Sequence, residues 1–349
     1  MQLKSWRHEL TLAHTWTIAR RLHTGGADVS KVVIVELTDP DGHVGRGEAT
    51  PTLRYGETTD SALAFLERVN TRFLSLDDLP ASIRYLESLA PGERAARGAL
   101  DVALLDIASQ RAGKSLYDYL GLGFTENRHT TSFSIGIDTP EVIRQKVAAA
   151  ESYPILKLKV GSPGDRENLA ALREIAPTKT VRVDGNEAWK TKEQALREIE
   201  HLATDPHIEF VEQPMPDSTP LEDLRWLKKR SPLPLMADES FHTAADVEKC
   251  LEGFHAVNVK LVKTAGITPA FTALKAARKA GLKTMLGCMI ETSILITAAA
   301  HLAELTDYLD IDGNLLVTND PYTGVTAENG IISFLRAPGT TGLRVAPRG

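Results

Sequence analysis

ILKLKVG, at residues 155–161, alternates two lysines with aliphatic residues. Alternation with period two predicts a β-strand that carries Lys157 and Lys159 on the same face. Two interpretations fit this strand taken alone. The lysines form the solvated side of a half-exposed strand, or they direct two ammonium groups into one pocket. The sequence on either side of the stretch distinguishes between them.

ILKLKVG belongs to a series of eight short β-like runs that alternate with helical stretches. The runs lie at 132–137, 155–160, 180–184, 208–212, 233–238, 256–261, 283–289 and 307–312. Polar residues near the ends of successive strands recur after roughly 25 residues, and this steady spacing favours a (β/α) barrel over a doubly wound sheet. No GxGxxG or GxxxxGK[ST] motif follows any of the strands, so the phosphate-binding loop typical of the open sheet is missing.

The N-terminal part of the chain has a different pattern. Residues 1–50 predict three strands, with a hairpin turn at DPDGH (39–43) and a mobile loop at 15–30. Helical periodicity follows at 60–75, 78–90 and 93–112, which makes this unit α+β. The predicted division of the chain is an α+β unit at 1–125, the strand–helix repeat at 126–318, and a C-terminal segment at 319–349 that packs back on the first unit.

Composition narrows the classes of function. The 349 residues are 42% hydrophobic and 25% charged, which is ordinary for a globular protein. A formal charge of −6 provides no basic surface for nucleic acid, and no apolar run reaches the roughly 18 residues of a membrane span. The first residues lack a signal-peptide core, and Cys250 and Cys288 lie outside any CxxC or Cys/His cluster. We therefore expect a cytoplasmic protein without a structural zinc site and without a nucleic-acid or membrane partner.

Five consecutive strands end in a charged residue. These residues are Lys159, Asp184, Glu212, Asp238 and Lys260. In a barrel the carboxyl ends of the strands form one mouth, where catalytic groups collect. Any single carboxylate at such a position could be the N-cap of the next helix. Three carboxylates that converge would repel each other without a cation, and ligands that are all oxygen select a hard cation, Mg2+ before Mn2+.

The lysines flank this predicted metal site. Lys260 comes from the sixth strand, opposite Lys157 and Lys159 on the second strand of a closed eight-stranded barrel. A desolvated lysine among other cations loses its proton more readily, so two facing lysines could remove a proton from one face and return it to the other. The alternative for Lys260 is a surface lysine. We assign that role to Lys263, since NVKLVK places the two lysines on opposite faces of an extended strand.

Together with their flanking motifs, these residues resemble the enolase superfamily, muconate-lactonizing-enzyme subgroup. The motifs are GRGEATP at 45–51, ALDVALLDIASQRAGKSLYDYLG at 99–121, DGNEAW from Asp184, VEQP with Glu212, ADES with Asp238 and NVKLVKTAG with Lys260. The resemblance covers nearly the whole chain, and the dipeptide epimerases are the most similar members. It implies an α/β fold, a modified (β/α)7β TIM-like barrel closed by an α+β capping domain.

The resemblance also implies a mechanism. The implied Mg2+ ligands are Asp184, Glu212 and Asp238. The metal would stabilise an enediolate as the substrate's α-proton leaves. Lys159 and Lys260 would be the two acid/bases, and Lys157 would help to lower the pKa of Lys159. The implied protein is an isomerase that epimerises amino acid derivatives.

Substrate choice is implied by the last strand and the first loop. Dipeptide epimerases hold the free ammonium group of the substrate with an Asp-x-Asp pair, and YLDIDGN supplies Asp310 and Asp312. Arg20 or Arg21 would meet an acidic side chain, and Ser134 would help to hold the substrate carboxylate. The expected reaction is 1,1-proton transfer at the C-terminal residue of L-Ala-L-Xaa. L-Ala-L-Glu is the first candidate, in peptidoglycan recycling.

Two alternatives stay open. An N-succinylamino-acid racemase or an o-succinylbenzoate synthase would share the lysines and the metal ligands, but their substrates carry no cation to match two carboxylates. A metal-binding scaffold without turnover is the third hypothesis, and the complete set of bases and ligands argues against it. The sequence leaves the oligomeric state open, a homo-oligomer included.

Overall fold

The N-terminal residues form a three-stranded antiparallel sheet in the computed structural model, which describes residues 1–90 and 92–349. Its strands pair in the order β1 (Gln2–Trp16), β2 (Ala27–Thr38) and β3 (Val44–Ala49). The DPDGH turn joins the last two strands, as predicted. The side chain of Asp39 accepts hydrogen bonds from the main-chain N–H groups of Asp41 and His43, which is the turn chemistry expected of aspartate.

Helices cover one face of this sheet. They are α1 (Thr59–Glu67), α2 (Leu79–Leu89), α3 (Arg94–Arg111) and α4 (Leu116–Tyr119). The predicted helix at 60–75 is too long, because a separate 3-10 turn capped by Asn70 forms at Thr71–Phe73. Helix α3 lies so close to β3 that a Cβ atom on Gly47 would overlap the carbonyl oxygen of Ala99. This close approach explains why the strand carries glycine where it meets the helix.

The strand–helix repeat forms an eight-stranded parallel sheet whose strands neighbour each other in chain order. The strands are β4 (Phe133–Ile135), β5 (Ile155–Lys159), β6 (Thr180–Asp184), β7 (Ile208–Glu212), β8 (Leu235–Ala237), β9 (Ala256–Lys260), β10 (Lys283–Gly287) and β11 (Tyr308–Asp310). A parallel bridge between Thr131 and Leu309 brings the last strand back to the first, so the sheet closes into a barrel. All eight predicted strands are present, and the α/β barrel fold is confirmed.

Seven of the eight strands are followed by helix. The helices are α5 (Pro140–Ala149), α6 (Asp165–Ile175), α7 (Lys192–Leu202), α8 (Leu221–Arg230), α9 (Val247–Gly253), α10 (Leu261–Thr264), α11 (Ile267–Lys279) and α12 (Ser293–Ala300). Two of their starts carry N-caps, since the hydroxyls of Thr139 and Thr191 accept from the N–H groups of Val142 and Gln194. Strand β11 is followed only by a 3-10 turn, which gives the (β/α)7β arrangement.

The C-terminal segment contacts both other parts of the chain. It forms β12 (Tyr322–Thr323), β13 (Thr326–Glu328), β14 (Ile331–Ser333) and β15 (Ala346–Pro347). Leu343 N–H donates to Asp106 of α3 at 2.8 Å, and Val325 N–H donates to Thr297 Oγ1 of α12 at 3.0 Å. The boundaries at 125 and 318 stay predictions. Among the described residues, no helix combines the length and apolar character needed to cross a membrane.

Candidate active site

The carboxyl ends of β5 to β9 bring the predicted charged residues into one buried cluster. The cluster consists of Lys157, Lys159, Asp184, Glu212, Asp238 and Lys260, each at most 7% exposed. Parallel register aligns the strand ends, with Lys159 beside Asp184 and Asp184 beside Glu212. Charges this deeply buried require partners, so the lysines do not belong to a solvated strand face. The pocket interpretation of ILKLKVG is therefore the correct one.

The three carboxylates form a compact oxygen cluster. Ligand oxygens of Asp184, Glu212 and Asp238 all lie within 4.8 Å of one another. Asn258 donates to Glu212 Oε1 at 2.8 Å. The other oxygen, Oε2, lies 2.7 Å from Lys157 Nζ, in an ion pair without hydrogen-bond geometry. A buried oxygen without a donor, in a set that offers only oxygen, fits a hard divalent cation.

Burial and neighbouring charges shift the pKa values of these carboxyl groups in different directions. Burial raises the pKa of Glu212 to about 7, and the charge of Asp184 adds to that shift. Burial also acts against ionisation of Asp184, but the ammonium groups of Lys159 and Lys157 keep its pKa below the usual value. The pKa of Asp238 is likewise lowered against the effect of burial, chiefly by Lys260. The ammonium groups of the lysines thus compensate the negative charge of the carboxylates only in part.

The two lysines predicted as acid/bases hydrogen-bond to different carboxylates. Lys159 Nζ donates to Asp184 Oδ2 at 2.6 Å, with the Trp16 ring centroid 5.9 Å away. Lys260 Nζ donates to Asp238 Oδ2 at 2.9 Å. The lysines come from β5 and β9, which lie four positions apart in the strand order and thus on opposite sides of the mouth.

The lowered pKa expected for such a lysine is wrong for Lys260 in this structure. Burial lowers the pKa of Lys260, but the negative charges of Asp238 and Glu212 outweigh that effect and raise it above the usual value. Each of the two lysines has its own carboxylate partner, and the neighbouring cations do not cancel the effect of these carboxylates.

Lys157 lies at the centre of the cluster. Its Nζ atom is 2.6 Å from Asp310 Oδ2, 2.7 Å from Glu212 Oε2 and 3.1 Å from Asp184 Oδ2. Burial opposes its charge, yet these three carboxylates raise its pKa well above the usual value. Lys157 is therefore a fixed positive charge that links the carboxylate cluster to the last strand of the barrel.

Lys263 is buried, so its assignment as a surface lysine is wrong. Its Nζ atom donates to Asp238 Oδ1 at 2.5 Å, to the carbonyl of Asn258 at 3.1 Å and to the carbonyl of Asp238. Strand β9 ends at Lys260 and helix α10 begins at Leu261, so the alternation of strand faces does not reach Lys263. The spacing of three between the lysines fits a helical turn, which was the signal available in the sequence.

The last strand brings Asp310 and Asp312 to the same mouth, both buried. Ser132 Oγ donates to Asp310 Oδ1 at 2.6 Å, so both oxygens of Asp310 are engaged. The N–H of Ser134 donates to Asp312 Oδ2 at 2.6 Å. Burial raises the pKa of Asp312 to about 6, and the charge of Asp310 contributes to that shift.

The first loop places its two arginines differently. Arg20 lies in a 3-10 turn (Ala19–Thr24) and donates to Glu187 Oε2 at 2.9 Å and to Glu239. Arg21 is exposed. Glu187 also accepts from Arg54 at 2.8 Å. These glutamates were not predicted as site residues, although DGNEAW and ADES contain them.

Comparison with known proteins covers almost the whole chain. A family model described as mandelate racemase / muconate lactonizing enzyme, N-terminal domain, matches residues 9–121. A second, described as enolase C-terminal domain-like, matches residues 141–343. An L-Ala-D/L-amino acid epimerase of Pedosphaera parvula is 63% identical over 345 residues, which are 99% of each chain.

Two solved structures are also similar over the full length. A substrate-liganded L-Ala-D/L-Glu epimerase from Bacillus subtilis matches with a TM-score of 0.91 and 28% identity, covering 99% of this chain and 98% of that one. A dipeptide epimerase from Enterococcus faecalis, complexed with Mg and L-Leu-L-Tyr, matches with a TM-score of 0.90 and 31% identity over 99% of both chains.

Proposed function

We propose that this chain, which belongs to the mandelate racemase / muconate lactonizing enzyme family of the enolase superfamily, is a Mg2+-dependent dipeptide epimerase. The reaction inverts the α-carbon of the C-terminal residue of an L-Ala-L-Xaa dipeptide, with L-Ala-L-Glu as the first substrate to test. The observation that carries this proposal is the pair Lys159 and Lys260, held on opposite sides of one carboxylate cluster. The names of the relatives support the substrate class.

Asp184, Glu212 and Asp238 would hold the metal, because their oxygens converge and Glu212 Oε2 lacks a hydrogen-bond donor. The Enterococcus structure, which contains Mg, supports this choice of ion. When bound, Mg2+ supplies positive charge that stabilises the negative charge developing on the substrate carboxylate.

The two lysines, Lys159 and Lys260, would carry out the proton transfer. The substrate's α-carbon would lie between Lys159 and Lys260, so that the neutral lysine accepts the α-proton on one face. The charged lysine donates a proton to the other face. One proton leaves and one is added, which inverts the configuration without net change. Burial of both amines excludes water that would otherwise compete as proton donor.

Substrate positioning involves the two ends of the dipeptide. Asp310 and Asp312 would bind the free ammonium group, and Ser134, whose N–H donates to Asp312, would help to hold the substrate carboxylate. Arg20, which donates to Glu187 and Glu239, is the arginine that we assign to the substrate side in place of Arg21. An N-succinylamino acid or o-succinylbenzoate precursor has no ammonium group for these carboxylates, which disfavours those two activities. A silent scaffold is disfavoured by the complete set of lysines and ligands.

Proton exchange with solvent tests the proposal directly. The protein is incubated with Mg2+ in D2O and a panel of L-Ala-L-Xaa dipeptides, and loss of the α-proton signal is followed by NMR. We expect exchange together with appearance of the D-epimer, and no exchange after chelation of the metal. Absence of exchange with every dipeptide, or turnover of an N-succinylated amino acid instead, would contradict the proposal.

We further infer that the protein acts in the cytoplasm on dipeptides released during peptidoglycan recycling. The oligomeric state stays open, a homo-oligomer included, and light scattering would measure it.

A further inference from the structure

Gln213, the residue that follows Glu212 at the end of β7, takes no part in the proposed proton transfer. It is fully buried, and its φ of 32° lies in the left-handed region, which residues with a side chain rarely adopt. Backbone conformations of this kind persist only where the surrounding contacts hold them, and they are concentrated at functional sites. The contacts of Gln213 therefore indicate what its unusual conformation serves.

The side chain of Gln213 joins the loop after β7 to the loop after β8. Its Oε1 atom accepts from the N–H groups of Asp238 at 2.9 Å and Ser240 at 3.1 Å. Its Nε2 atom donates to Ser240 Oγ at 2.9 Å and to the carbonyl of Met215 at 2.7 Å. Both polar atoms of the amide are thus bound to the protein, which fixes the side chain in one orientation.

This amide replaces a hydrogen bond of the sheet. In a regular parallel ladder, a residue donates to one strand neighbour and its carbonyl accepts from the residue two positions further along the same partner strand. Gln213 N–H donates to the carbonyl of Met236 at 2.8 Å, so the carbonyl of Gln213 would be the regular acceptor for Asp238 N–H. That N–H group instead donates to the side-chain oxygen of Gln213.

The left-handed backbone frees the carbonyl of Gln213 for a different loop. It accepts from the N–H of Glu187 at 2.9 Å, in the loop after β6. The same loop comes so close that a Cβ atom on Gly185 would lie 3.1 Å from this carbonyl oxygen. Gln213 therefore contacts the loops after β6, β7 and β8, the three strands that carry the proposed metal ligands.

We propose that Gln213 is a positioning residue for the Mg2+ site: its carbonyl holds the loop after Asp184 and its amide holds Asp238, so that both carboxylates keep their spacing from Glu212. The inference rests on the metal site of the proposed function. Mg2+ demands nearly ideal octahedral geometry with short distances, whereas Ca2+ accepts irregular sets of oxygen ligands at longer distances. Loss of the amide should therefore weaken the binding of Mg2+ more than that of Ca2+.

Calorimetric titration with Mg2+ alone and with Ca2+ alone tests this role without turnover. Gln213→Met retains the length of the side chain and removes its hydrogen bonds. Gln110→Met is the matched control, because the Gln110 amide donates to the carbonyl of Val44 at 3.0 Å and to Asp106 Oδ1 at 2.8 Å, on α3 and β3. We expect Gln213→Met to lose Mg2+ affinity at least tenfold and Ca2+ affinity less than threefold, with both affinities of Gln110→Met within twofold of the wild type. Unchanged Mg2+ affinity, or an equal loss for the two ions, would overturn the inference.

A second variant makes a smaller change at the same contact and decides the question if Gln213→Met does not fold. Ser240→Ala removes the hydroxyl to which Gln213 Nε2 donates. We expect the ratio of Mg2+ to Ca2+ affinity to fall at least threefold in this variant. An unchanged ratio would overturn the role of the Gln213 amide.

Proton exchange in D2O separates this inference from the proposed function. A wild type that exchanges no dipeptide proton, but whose Mg2+ affinity falls selectively in Gln213→Met, would contradict the epimerase activity and support the role of Gln213. An active wild type whose ratio of Mg2+ to Ca2+ affinity is unchanged in Gln213→Met would support the activity and overturn the role of Gln213.

Discussion

The two lysines of the mouth have different surroundings at the scale of single residues. Lys159 donates to Asp184 and lies beside the ring of Trp16, whereas Lys260 and a second lysine, Lys263, both donate to Asp238. The two faces of a bound substrate would therefore meet unlike amines. This difference predicts separate behaviour of the two single variants.

Lys159→Ala and Lys260→Ala should each reduce epimerisation by a factor of about 10^2 to 10^4, the usual contribution of a general acid or base. Each variant should still exchange the α-proton of one stereoisomer, and the isomer should differ between them, because the remaining lysine serves one face. Exchange is followed by NMR in D2O with L,L and L,D dipeptides. Lys283→Ala, at an exposed ion pair with Asp307, is the control. Exchange of the same isomer by both variants would contradict the two-face assignment.

Lys263→Met should destabilise the fold by about 3 kcal/mol, because it removes the buried cation that donates to Asp238 Oδ1 and to two carbonyls. The free energy of unfolding is obtained from urea titration. Lys283→Met removes an exposed ion pair of 2.7 Å and should cost less than about 1 kcal/mol. A similar small loss for Lys263→Met would show that its hydrogen bonds contribute little.

The site residues at strand ends were predictable from the sequence, and some of the others were not, for a physical reason. Strand alternation and regular spacing placed Lys159, Asp184 and Glu212 at one mouth. The position of Lys263 depends on whether β9 continues past Lys260, and local pattern does not determine where a strand becomes a helix. Likewise, partners distant in sequence, such as Lys157 and Asp310, become apparent only when the barrel closes.

At the scale of elements, the contact between α3 and β3 depends on small residues. The backbone of Gly47 approaches Ala99 too closely to admit a Cβ atom. The N-terminal strands were predictable from alternation and turn chemistry. This close packing of helix on strand required the three-dimensional structure, because glycine in a strand also fits a bulge.

Gly47→Ala should destabilise the protein by about 3 kcal/mol, because the added methyl group overlaps backbone atoms that cannot move without shifting α3. Urea unfolding measures the loss. Gly164→Ala is the control, since its nearest neighbour to an added Cβ is Ser162 Oγ at 3.9 Å and its φ is negative. Equal stability of the two variants would show that β3 and α3 separate easily.

The junction between β3 and the start of α12 buries two carboxyl groups. Glu48 accepts from the N–H of Thr292 at 3.1 Å and from Thr50 Oγ1 at 3.1 Å. Burial raises the pKa of Glu48 to about 7 and that of Glu291 to about 8. The folded protein therefore binds more protons than the unfolded chain above pH 4.5, so these groups stabilise the fold at low pH and lose that contribution as pH rises through 7 to 8.

Glu48→Gln should flatten the pH dependence of stability. Between pH 5 and pH 8 the wild type should lose on the order of 2 kcal/mol more than the variant, because only the wild type must ionise Glu48 in the interior. Urea titrations at half-unit pH intervals, with Mg2+ held constant, provide the measurement. Identical pH slopes would show that Glu48 is ionised across the whole range.

At the scale of the whole molecule, the balance of charge at the mouth of the barrel affects the stability of the folded protein. Three carboxylates within 4.8 Å of each other repel, and the lysines compensate this repulsion only in part. Any cation that binds the folded but not the unfolded chain shifts the folding equilibrium.

Mg2+ at about 100 times its dissociation constant should stabilise the protein by about 2.7 kcal/mol and raise Tm, as expected for a ligand of the folded state. Differential scanning calorimetry over a Mg2+ series measures this rise. Asp184→Asn should abolish most of it, whereas Asp41→Asn, in an exposed turn, should not. A rise that survives in Asp184→Asn would place the stabilising cation elsewhere.

The contact between the first strand and the C-terminal segment has a consequence for biosynthesis. Thr11 N–H donates to the side chain of Asn319 at 2.7 Å, across a separation of 308 residues. At about 5–20 residues per second, a ribosome needs roughly 15 to 60 seconds to make the intervening chain. During that interval β1 is synthesised but lacks this neighbour, so the hydrogen bond that joins β1 to the C-terminal segment forms only after Asn319 has been made.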